Sequence, residues 1–249
     1  MKINCDIGEG FDTLDAQIMP YIDMANIACG LHASNPFLMS KTIDLALQHN
    51  VSIGAHPGYP DPEGFGRRSM PFTQTEIIEL ILYQYGALKM LCDAKGATVD
   101  YIKPHGALYN AMMSESEVFD AVLQAMKKLP RSIPLMVLAN NQQEQFLQKA
   151  QRIGINILFE VFSDRAYDKT GHLLSRNIDG AVLSSSEAIE KRMADLLDRN
   201  IITTIEGHKL PISADTLCIH GDVEEAVEIA KLCRNWLSTR GISRETEYR

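Results

Sequence analysis

The sequence lacks a long apolar segment, a signal-peptide pattern and an excess of positive charge. No run of apolar residues approaches the ~20 that a transmembrane helix needs, and the first residues contain no apolar signal-peptide core. The formal net charge is -8 at pH 7, whereas nucleic acids and anionic membranes attract clustered positive charge. We therefore expect a cytoplasmic protein that binds neither nucleic acid nor membrane, and whose partners are small molecules or other proteins.

Cysteine is also scarce, and several well-known catalytic motifs are missing. The five cysteines are odd in number and none forms a C-x-x-C pair, which argues against a disulfide framework and against a zinc–thiolate site. The chain contains no G-x-x-x-x-G-K-[ST] loop, no H-E-x-x-H motif and no G-x-S-x-G turn. ATP binding of the P-loop type is therefore excluded.

Strand-like and helix-like segments alternate regularly along the chain. Short β-forming segments are followed by longer segments of helical periodicity, an order typical of parallel strands joined by helices. Helix starts are marked by Asn35-Pro36 and by the capping box Thr73-x-x-Glu76. The 249 residues have the length of one α/β barrel domain, which we expect to span residues 1–249. Seven strands are predicted, over residues 2–5, 25–29, 51–55, 99–103, 135–138, 155–159 and 216–219.

The residues on the two faces of these strands favour a closed barrel over an open, doubly wound sheet. In the first strand Ile3 and Cys5 share one face, while Asn4 and Asp6 share the other, and further strands repeat this division. An open parallel sheet is covered on both sides and is apolar on both faces. A barrel instead collects polar groups where its strands end. We therefore predict an α/β fold with a seven-stranded (β/α) barrel.

Two segments interrupt the regular alternation. The segment 57–72 contains four prolines and three glycines, which predicts a long shaped loop after the third strand. The segment 201–212 consists largely of β-forming residues around Gly207, which predicts a hairpin inserted before the last strand.

Four histidines occupy matching places along the chain. His32, His56, His105 and His220 each follow a predicted strand. A single histidine of this kind is explained well enough as a turn residue whose ring bonds to the backbone. Four of them at one end of a barrel instead predict a shared site, because histidine titrates near neutral pH and also binds metals.

Two carboxylates and a lysine lie in equivalent positions. Asp6 and Glu9 end the first strand, where each could be a general base, a metal ligand, a partner of a histidine or simply a helix cap. Lys103 shares the inward parity of His105. Because a buried lysine is costly unless it is paired, Lys103 is interpreted as functional.

Further charged residues follow the long loop and the sixth strand. Arg67 and Arg68 end the loop and could present a fork to a carboxylate or a phosphate, although a solvated pair is the simpler interpretation. Asp164 and Arg165 follow the sixth strand and add a carboxylate and a cation to the same ring, with a structural ion pair as the alternative.

Six segments together resemble one known family. They are residues 4–9 (NCDIGE), 25–33 (ANIACGLHA), 53–61 (IGAHPGYPD), 64–68 (GFGRR), 103–110 (KPHGALYN) and 220–222 (HGD). In this order they closely resemble the LamB/YcsF family, with Leu31 and Ser34 standing where Phe and Gly are expected. The resemblance implies an atypical seven-stranded barrel similar to the glycoside hydrolase/deacetylase superfamily. It also implies a 5-oxoprolinase reaction, the ATP-coupled opening of 5-oxo-L-proline to L-glutamate, in a complex with subunits B and C.

For such a reaction we expect the polar strand ends to activate water and to bind the lactam. Asp6, with one of His32, His56 or His220, would activate water, and Lys103 with His105 would stabilise charge on the substrate oxygen. The expected substrate-binding residues are Glu9, Asn26, Arg67, Arg68, Asp164, Arg165 and Asp222. ATP is expected as a co-substrate that partner subunits help to handle.

Two other functions are compatible with the same residues. An aspartate and several histidines at a barrel mouth can bind a divalent metal, which would suit a metal-dependent deacetylase or amidohydrolase. A non-catalytic substrate-carrier subunit is the second alternative. The sequence alone does not decide whether a metal binds.

Overall fold

Seven parallel strands close into a barrel. The structure, a computed structural model, describes residues 1–183, 185–221 and 225–243. The strands of the described residues are β1 (Lys2–Ile7), β2 (Met24–Ala28), β3 (Ser52–His56), β4 (Tyr101–Ile102), β5 (Leu135–Leu138), β6 (Ile157–Phe162), β7 (Ile201–Thr203), β8 (Lys209–Pro211) and β9 (Thr216–Ile219). The order in the barrel is β1-β2-β3-β4-β5-β6-β9, and β9 pairs back onto β1. The predicted fold class is confirmed.

Helices connect the strands on the outside of the barrel. In the described part of the chain they are α1 (Asp12–Ile18), α2 (Pro36–Gln48), α3 (Gln74–Asp93), α4 (Gly106–Ser114), α5 (Ser116–Lys127), α6 (Gln143–Gln151), α7 (Ser186–Arg199) and α8 (Ala226–Ser238), with a short 3-10 helix over Met19–Tyr21. The capping signals act as predicted, since Asn35 accepts two N–H groups of α2 and Thr73 with Glu76 closes a capping box on α3. None of these helices has the length and hydropathy of a membrane span.

The two faces of β1, β2 and β3 differ as the alternation predicted, whereas β5 is apolar on both faces. Ile3 and Cys5 face the apolar layer between the strands and the helices. Inside the barrel, the Asn26 amide donates to Asn4 at 2.8 Å, and the Tyr101 hydroxyl donates to Asn26 at 2.7 Å. The interior of the barrel therefore contains a layer of buried polar side chains that satisfy one another by hydrogen bonds.

One glycine makes room for the largest side chain of this interior layer. Gly54 lies opposite Asn26 on one side and opposite Tyr101 on the other. A Cβ atom at Gly54 would lie 2.2 Å from the Tyr101 ring. Any larger residue at position 54 would therefore displace the ring and break its bond to Asn26.

The boundaries of the fourth and sixth strands differ most from the prediction, and both differences have a physical reason. The fourth strand is only Tyr101–Ile102 rather than 99–103, and it ends just before Pro104, which has no N–H to donate. The sixth strand runs to Phe162 rather than ending at 159. Its extension contains Glu160, a charged residue that we would place outside a buried strand, but which is fully buried.

The first irregular segment lies between β3 and β4 in sequence, and the second lies between β6 and β9. Residues 57–72 form no helix or strand, and the loop is tied together by Arg68, whose guanidinium pairs with the buried Asp61. Strands β7 and β8 form an antiparallel pair within residues 201–212.

Candidate active site

The C-terminal ends of the barrel strands surround a cavity of about 250 Å³. Its lining includes five of the six predicted catalytic residues, namely Asp6, His56, Lys103, His105 and His220. The lining also includes Glu9 and three arginines, Arg67, Arg165 and Arg176. The cavity thus combines a carboxylate–histidine side with a cationic side.

Lys103 lies at the centre of a buried charge network. Its ammonium is 3.0 Å from Asp6 Oδ1 and 3.0 Å from Glu160 Oε2, and it also contacts Asn4 at 3.3 Å and Cys218 at 3.1 Å. Burial alone would lower the pKa of Lys103, but the charge of Asp6, with that of Glu160, raises it well above its ordinary value. Lys103 is therefore a permanent cation in the interior of the barrel.

Asp6 is held as a carboxylate by this cation. Its Oδ1 accepts hydrogen bonds from Lys103 and, at 2.7 Å, from Asn26, while Oδ2 lies 3.4 Å from His56 Nε2. Burial raises the pKa of Asp6, but the charges of His56 and Lys103 outweigh burial and hold the pKa well below its usual range. Asp6 is thus ionised, with one oxygen directed at the histidine cluster.

Three of the four predicted histidines meet beside Glu9. Glu9 Oε1 lies 3.1 Å from His32 Nε2, 3.3 Å from His105 Nδ1 and 3.8 Å from His56 Nε2. The His32 and His105 rings stack at 3.9 Å, so His32 lies behind His105. Burial lowers the pKa of both His32 and His105 to about 3, and neighbouring histidines contribute to this lowering. These two rings are therefore neutral at physiological pH.

The fourth histidine forms a separate pair. His220 Nδ1 lies 2.8 Å from Asp164 Oδ2, and the ring packs against Phe162 at 5.3 Å. Burial raises the pKa of Asp164, but His220 outweighs burial and lowers it. The carboxylate therefore fixes the proton on Nδ1. Among the described residues Nε2 has no hydrogen-bond partner, so it presents a lone pair beside the cavity.

Among the described residues, three predicted substrate-binding residues do not line the cavity, namely Asn26, Arg68 and Asp164. Asn26 lies beside Asp6 in the register of β1 and β2, and its amide is engaged by Asn4, Asp6 and Tyr101. Arg68 pairs with Asp61 within the long loop. Asp222 lies outside the described residues.

The other predicted substrate-binding residues that the structure describes lie in the cavity. Glu9, Arg67 and Arg165 line it, and Arg67 lies over the Phe65 ring with its guanidinium carbon 4.8 Å from the ring centroid. Asp164 reaches the cavity only through His220.

Sequence reasoning missed Arg176, which lines the cavity, and it also missed Glu160 and Cys218. Both contact Lys103 from neighbouring barrel strands. The signal for Glu160 was available, because it is a charged residue inside an otherwise apolar strand. Cys218 gave no such signal, since a buried thiol is common without any function.

Asp15 is a buried carboxyl that holds the turn carrying Glu9. Its Oδ2 accepts the Gly8 N–H at 2.8 Å, and Gly8 has a φ of +75°, a conformation that suits glycine. Burial, the largest influence, raises the pKa of Asp15 to about 7. The pKa in the unfolded chain is ~3.9. Asp15 therefore stabilises the fold fully below about pH 4, and this stability is lost as the pH rises through about 7.

Replacing Asp15 with asparagine is expected to stabilise the protein at alkaline pH. Asparagine still accepts the Gly8 N–H but cannot ionise, so the free energy of unfolding at about pH 8 should exceed that of wild type by on the order of 2 kcal/mol. At about pH 4 the difference should vanish, because both side chains are then neutral. Urea unfolding at the two pH values measures this, and an equal difference at both would contradict the explanation.

The fold and the site define the class of this protein. It is a parallel α/β barrel that has a buried site of carboxylate, lysine and histidine side chains at the C-terminal end of its strands. The chain belongs to the LamB/YcsF family, whose model matches residues 1–248. The family that the six sequence segments predicted is thereby confirmed.

Named relatives cover nearly the whole chain. A protein of Vibrio cholerae serotype O1, named as the A subunit of 5-oxoprolinase, is 50% identical over 233 residues, which is 92% of this chain and 94% of the relative. A protein of the same name from Pseudomonas fluorescens is 45% identical over 242 residues, covering 96% of this chain and 97% of the relative. The crystal structure of a lactam utilization protein from Thermus thermophilus matches with a TM-score of 0.88 and 33% identity, over 99% of both chains.

Proposed function

We propose that this chain is the A subunit of an ATP-dependent 5-oxoprolinase and that, with subunits B and C, it opens the lactam ring of 5-oxo-L-proline to give L-glutamate. The observation that carries the proposal is the 50% identity, over 92% of the chain, to a relative named as the A subunit of 5-oxoprolinase. The cavity supports it with groups that suit a small anionic amide. Neither a deacetylase nor a non-catalytic carrier is favoured by these relatives.

The chemical difficulty of the reaction lies in the stability of the amide. A lactam carbonyl is stabilised by resonance, so water attacks it only after activation. Transfer of a phosphoryl group from ATP to the lactam oxygen would supply this activation. Water would then add to the activated carbon, the ring C–N bond would break as the nitrogen takes a proton, and a second water would release inorganic phosphate and leave L-glutamate. Because the chain has no P-loop, the partner subunits contribute to ATP handling.

His220 is the group best placed to activate water. His220 lines the cavity, and its Nε2 has no hydrogen-bond partner among the described residues. His32 instead points at Glu9, and His56 is engaged by the Lys103 carbonyl and by His105. Asp164 holds the His220 proton on Nδ1 and stabilises the imidazolium that forms when Nε2 takes a proton from water. Of the three histidines predicted for this role, we therefore assign it to His220.

Lys103 stabilises the negative charge that develops on the substrate oxygen. His105 directs its Nε2–H to the Phe65 carbonyl at 2.8 Å, so that N–H is not available to the substrate. Lys103 lines the cavity as a buried cation, where electrostatic stabilisation is stronger than in water. Asp6 and Glu160 position the Lys103 ammonium from two sides.

The arginines of the cavity provide the binding site for the substrate's anionic groups. Arg67, Arg165 and Arg176 line the cavity, although Arg165 also donates to the backbone of Ala181. Arg67 is exposed on the long loop, and its planar guanidinium can pair with a carboxylate through two hydrogen bonds.

Replacing Arg67 with alanine is expected to raise the KM for 5-oxo-L-proline about tenfold or more, because a charge-assisted hydrogen bond contributes about 1.5–3 kcal/mol. The kcat should change less, since Arg67 contacts the bound carboxylate rather than the reacting carbon. Steady-state kinetics of the reconstituted complex measures both constants. Arg152→Ala, at an exposed helix end, is the matched control. An unchanged KM in Arg67→Ala would remove Arg67 from the binding site.

The proposed function itself is tested by reconstitution. The chain is mixed with 5-oxo-L-proline and ATP, with and without the two partner subunits, and L-glutamate and inorganic phosphate are measured together. We expect glutamate only when all three subunits and ATP are present. Absence of glutamate in every combination would overturn the proposal.

A further inference from the structure

His56 and His105 are hydrogen-bonded in such a way that a nitrogen lone pair of one ring faces a nitrogen lone pair of the other. The His105 Nε2 lies 2.8 Å from the Phe65 carbonyl oxygen, and the His56 Nδ1 lies 2.7 Å from the Lys103 carbonyl oxygen. A carbonyl oxygen can only accept, so each of these ring nitrogens carries a hydrogen. The remaining nitrogens, His56 Nε2 and His105 Nδ1, are 2.9 Å apart. In neutral rings both are acceptors.

Glu9 brings a third acceptor to the same point. Its Oε1 lies 3.3 Å from His105 Nδ1, so a carboxylate oxygen and a nitrogen lone pair also face each other. One proton on His56 would satisfy the contact between the two histidines, and His32 Nε2 can donate to Glu9 Oε1, but the His105 lone pair would still face that carboxylate oxygen. A cation at the centre satisfies both contacts at once.

His32 completes the set of donor atoms. Its Nε2 is directed at Glu9 from 3.1 Å, and its Nδ1 is buried without a hydrogen-bond partner among the described residues. The four atoms, one each from Glu9, His32, His56 and His105, all lie within 4.8 Å of one another.

The spacing of these atoms suits a metal ion. A tetrahedral ion with bonds of about 2.1 Å holds its ligand atoms about 3.4 Å apart. The contacts of Glu9 with the three rings, at 3.1, 3.3 and 3.8 Å, scatter around that value. The distances between ring nitrogens spread more widely, from 2.9 Å between His56 and His105 to at most 4.8 Å. Metal-binding histidines commonly give their second N–H to a backbone carbonyl, as His56 and His105 do here.

We propose that Glu9, His32, His56 and His105 form a binding site for one divalent transition-metal ion, with zinc as the best match. Three imidazole nitrogens and one carboxylate oxygen favour zinc, cobalt or nickel over magnesium and calcium, which prefer sites made of oxygen atoms. This inference goes beyond the lactam reaction, because it rests on the four side chains alone.

The test is a titration of the isolated full-length chain. The protein is treated with a chelator, dialysed and titrated with zinc chloride in a calorimeter, and the bound metal is then counted by elemental analysis. We expect one zinc ion per chain. Cobalt(II) in place of zinc should give visible absorption bands of a four- or five-coordinate site, a readout that is independent of catalysis. A chain that binds no stoichiometric zinc would overturn the proposal.

Two variants test which residues bind the ion. His105→Ala and His32→Ala should each weaken zinc binding by about 100-fold or more, whereas His208→Ala, at an exposed position of the β7–β8 hairpin, should bind as wild type does. Circular dichroism checks that each variant is folded. If one of the two variants does not fold, the zinc affinity of the other one tests the proposal. Equal zinc affinity in a folded variant and in wild type would also overturn the proposal.

The outcome is separate from that of the proposed function. The titration contains no ATP, lactam or partner chain, so a failure to bind zinc leaves the reconstitution assay unaffected. Conversely, a complex that forms no glutamate leaves the zinc stoichiometry unaffected.

Discussion

Replacing His220 with alanine is expected to lower the kcat of the reconstituted complex about 10²–10⁴-fold, the range for loss of a general base. His220 lines the cavity, no described residue forms a hydrogen bond with its Nε2, and Asp164 holds the proton on its Nδ1 at 2.8 Å. Asp164→Asn should lower kcat as well, because an amide at this position no longer stabilises the imidazolium. Initial rates of glutamate formation measure both effects.

The control for this prediction is His208→Ala, which removes an exposed histidine that does not line the cavity. Circular dichroism should show that the His220 variant is folded, although its free energy of unfolding should fall because the buried Asp164 carboxylate loses its partner. A His220→Ala complex with wild-type turnover would show that another group activates water, and Asp6 would then be the first alternative.

Replacing Lys103 with methionine is expected to lower the free energy of unfolding by about 3–5 kcal/mol, the range for removing one partner of a buried ion pair. Methionine has a similar length but no charge. The change leaves the carboxylates of Asp6 and Glu160, each 3.0 Å from the lost ammonium, without their shared cation. Urea unfolding of the isolated chain measures the loss, and kcat should fall as well because the developing oxyanion loses its counter-charge.

A second substitution distinguishes lost charge from lost packing. Glu160→Gln removes one of the two buried carboxylates, so Lys103→Met with Glu160→Gln should recover part of the lost stability. A simple packing defect would not be repaired in this way. If Lys103→Met alone were as stable as wild type, the buried network would not have the energetic role that we assign to it.

The barrel and the location of its site could be predicted from the sequence because both depend on local rules. Strand parity depends only on the backbone, and parallel strands necessarily place all their C-terminal ends at one edge. His56, His105 and His220 therefore line one cavity, as their positions after three separate strands predicted. The prediction that the substrate is a lactam came from the family motifs, because the rules of folding do not identify a substrate.

The pairing of side chains inside the site could not be predicted in the same way. Arg67 and Arg68 are neighbours with the same chemistry, yet Arg67 lines the cavity and Arg68 pairs with Asp61. The difference depends on how the loop folds, with Phe65 in a left-handed conformation at φ 55°. Asn26 likewise has inward parity, but the register of β1 against β2 places it directly beside Asp6, to which its amide donates at 2.7 Å.

Glu160 explains why the C-terminal end of the sixth barrel strand was predicted too early. A glutamate in an apolar segment predicts that the strand stops before it, because charged residues are rarely buried without a partner. Its partner, Lys103, comes from a strand far away in sequence, which local reasoning does not reveal.

A crystal structure of the chain with bound 5-oxo-L-proline is the measurement that tests the central claim most directly. We expect the lactam in the cavity, with its carboxylate on Arg67 and its ring carbonyl directed toward Lys103 and His220. Electron density for the lactam at any other place, with the cavity free of it, would contradict the assignment of this cavity as the site of ring opening.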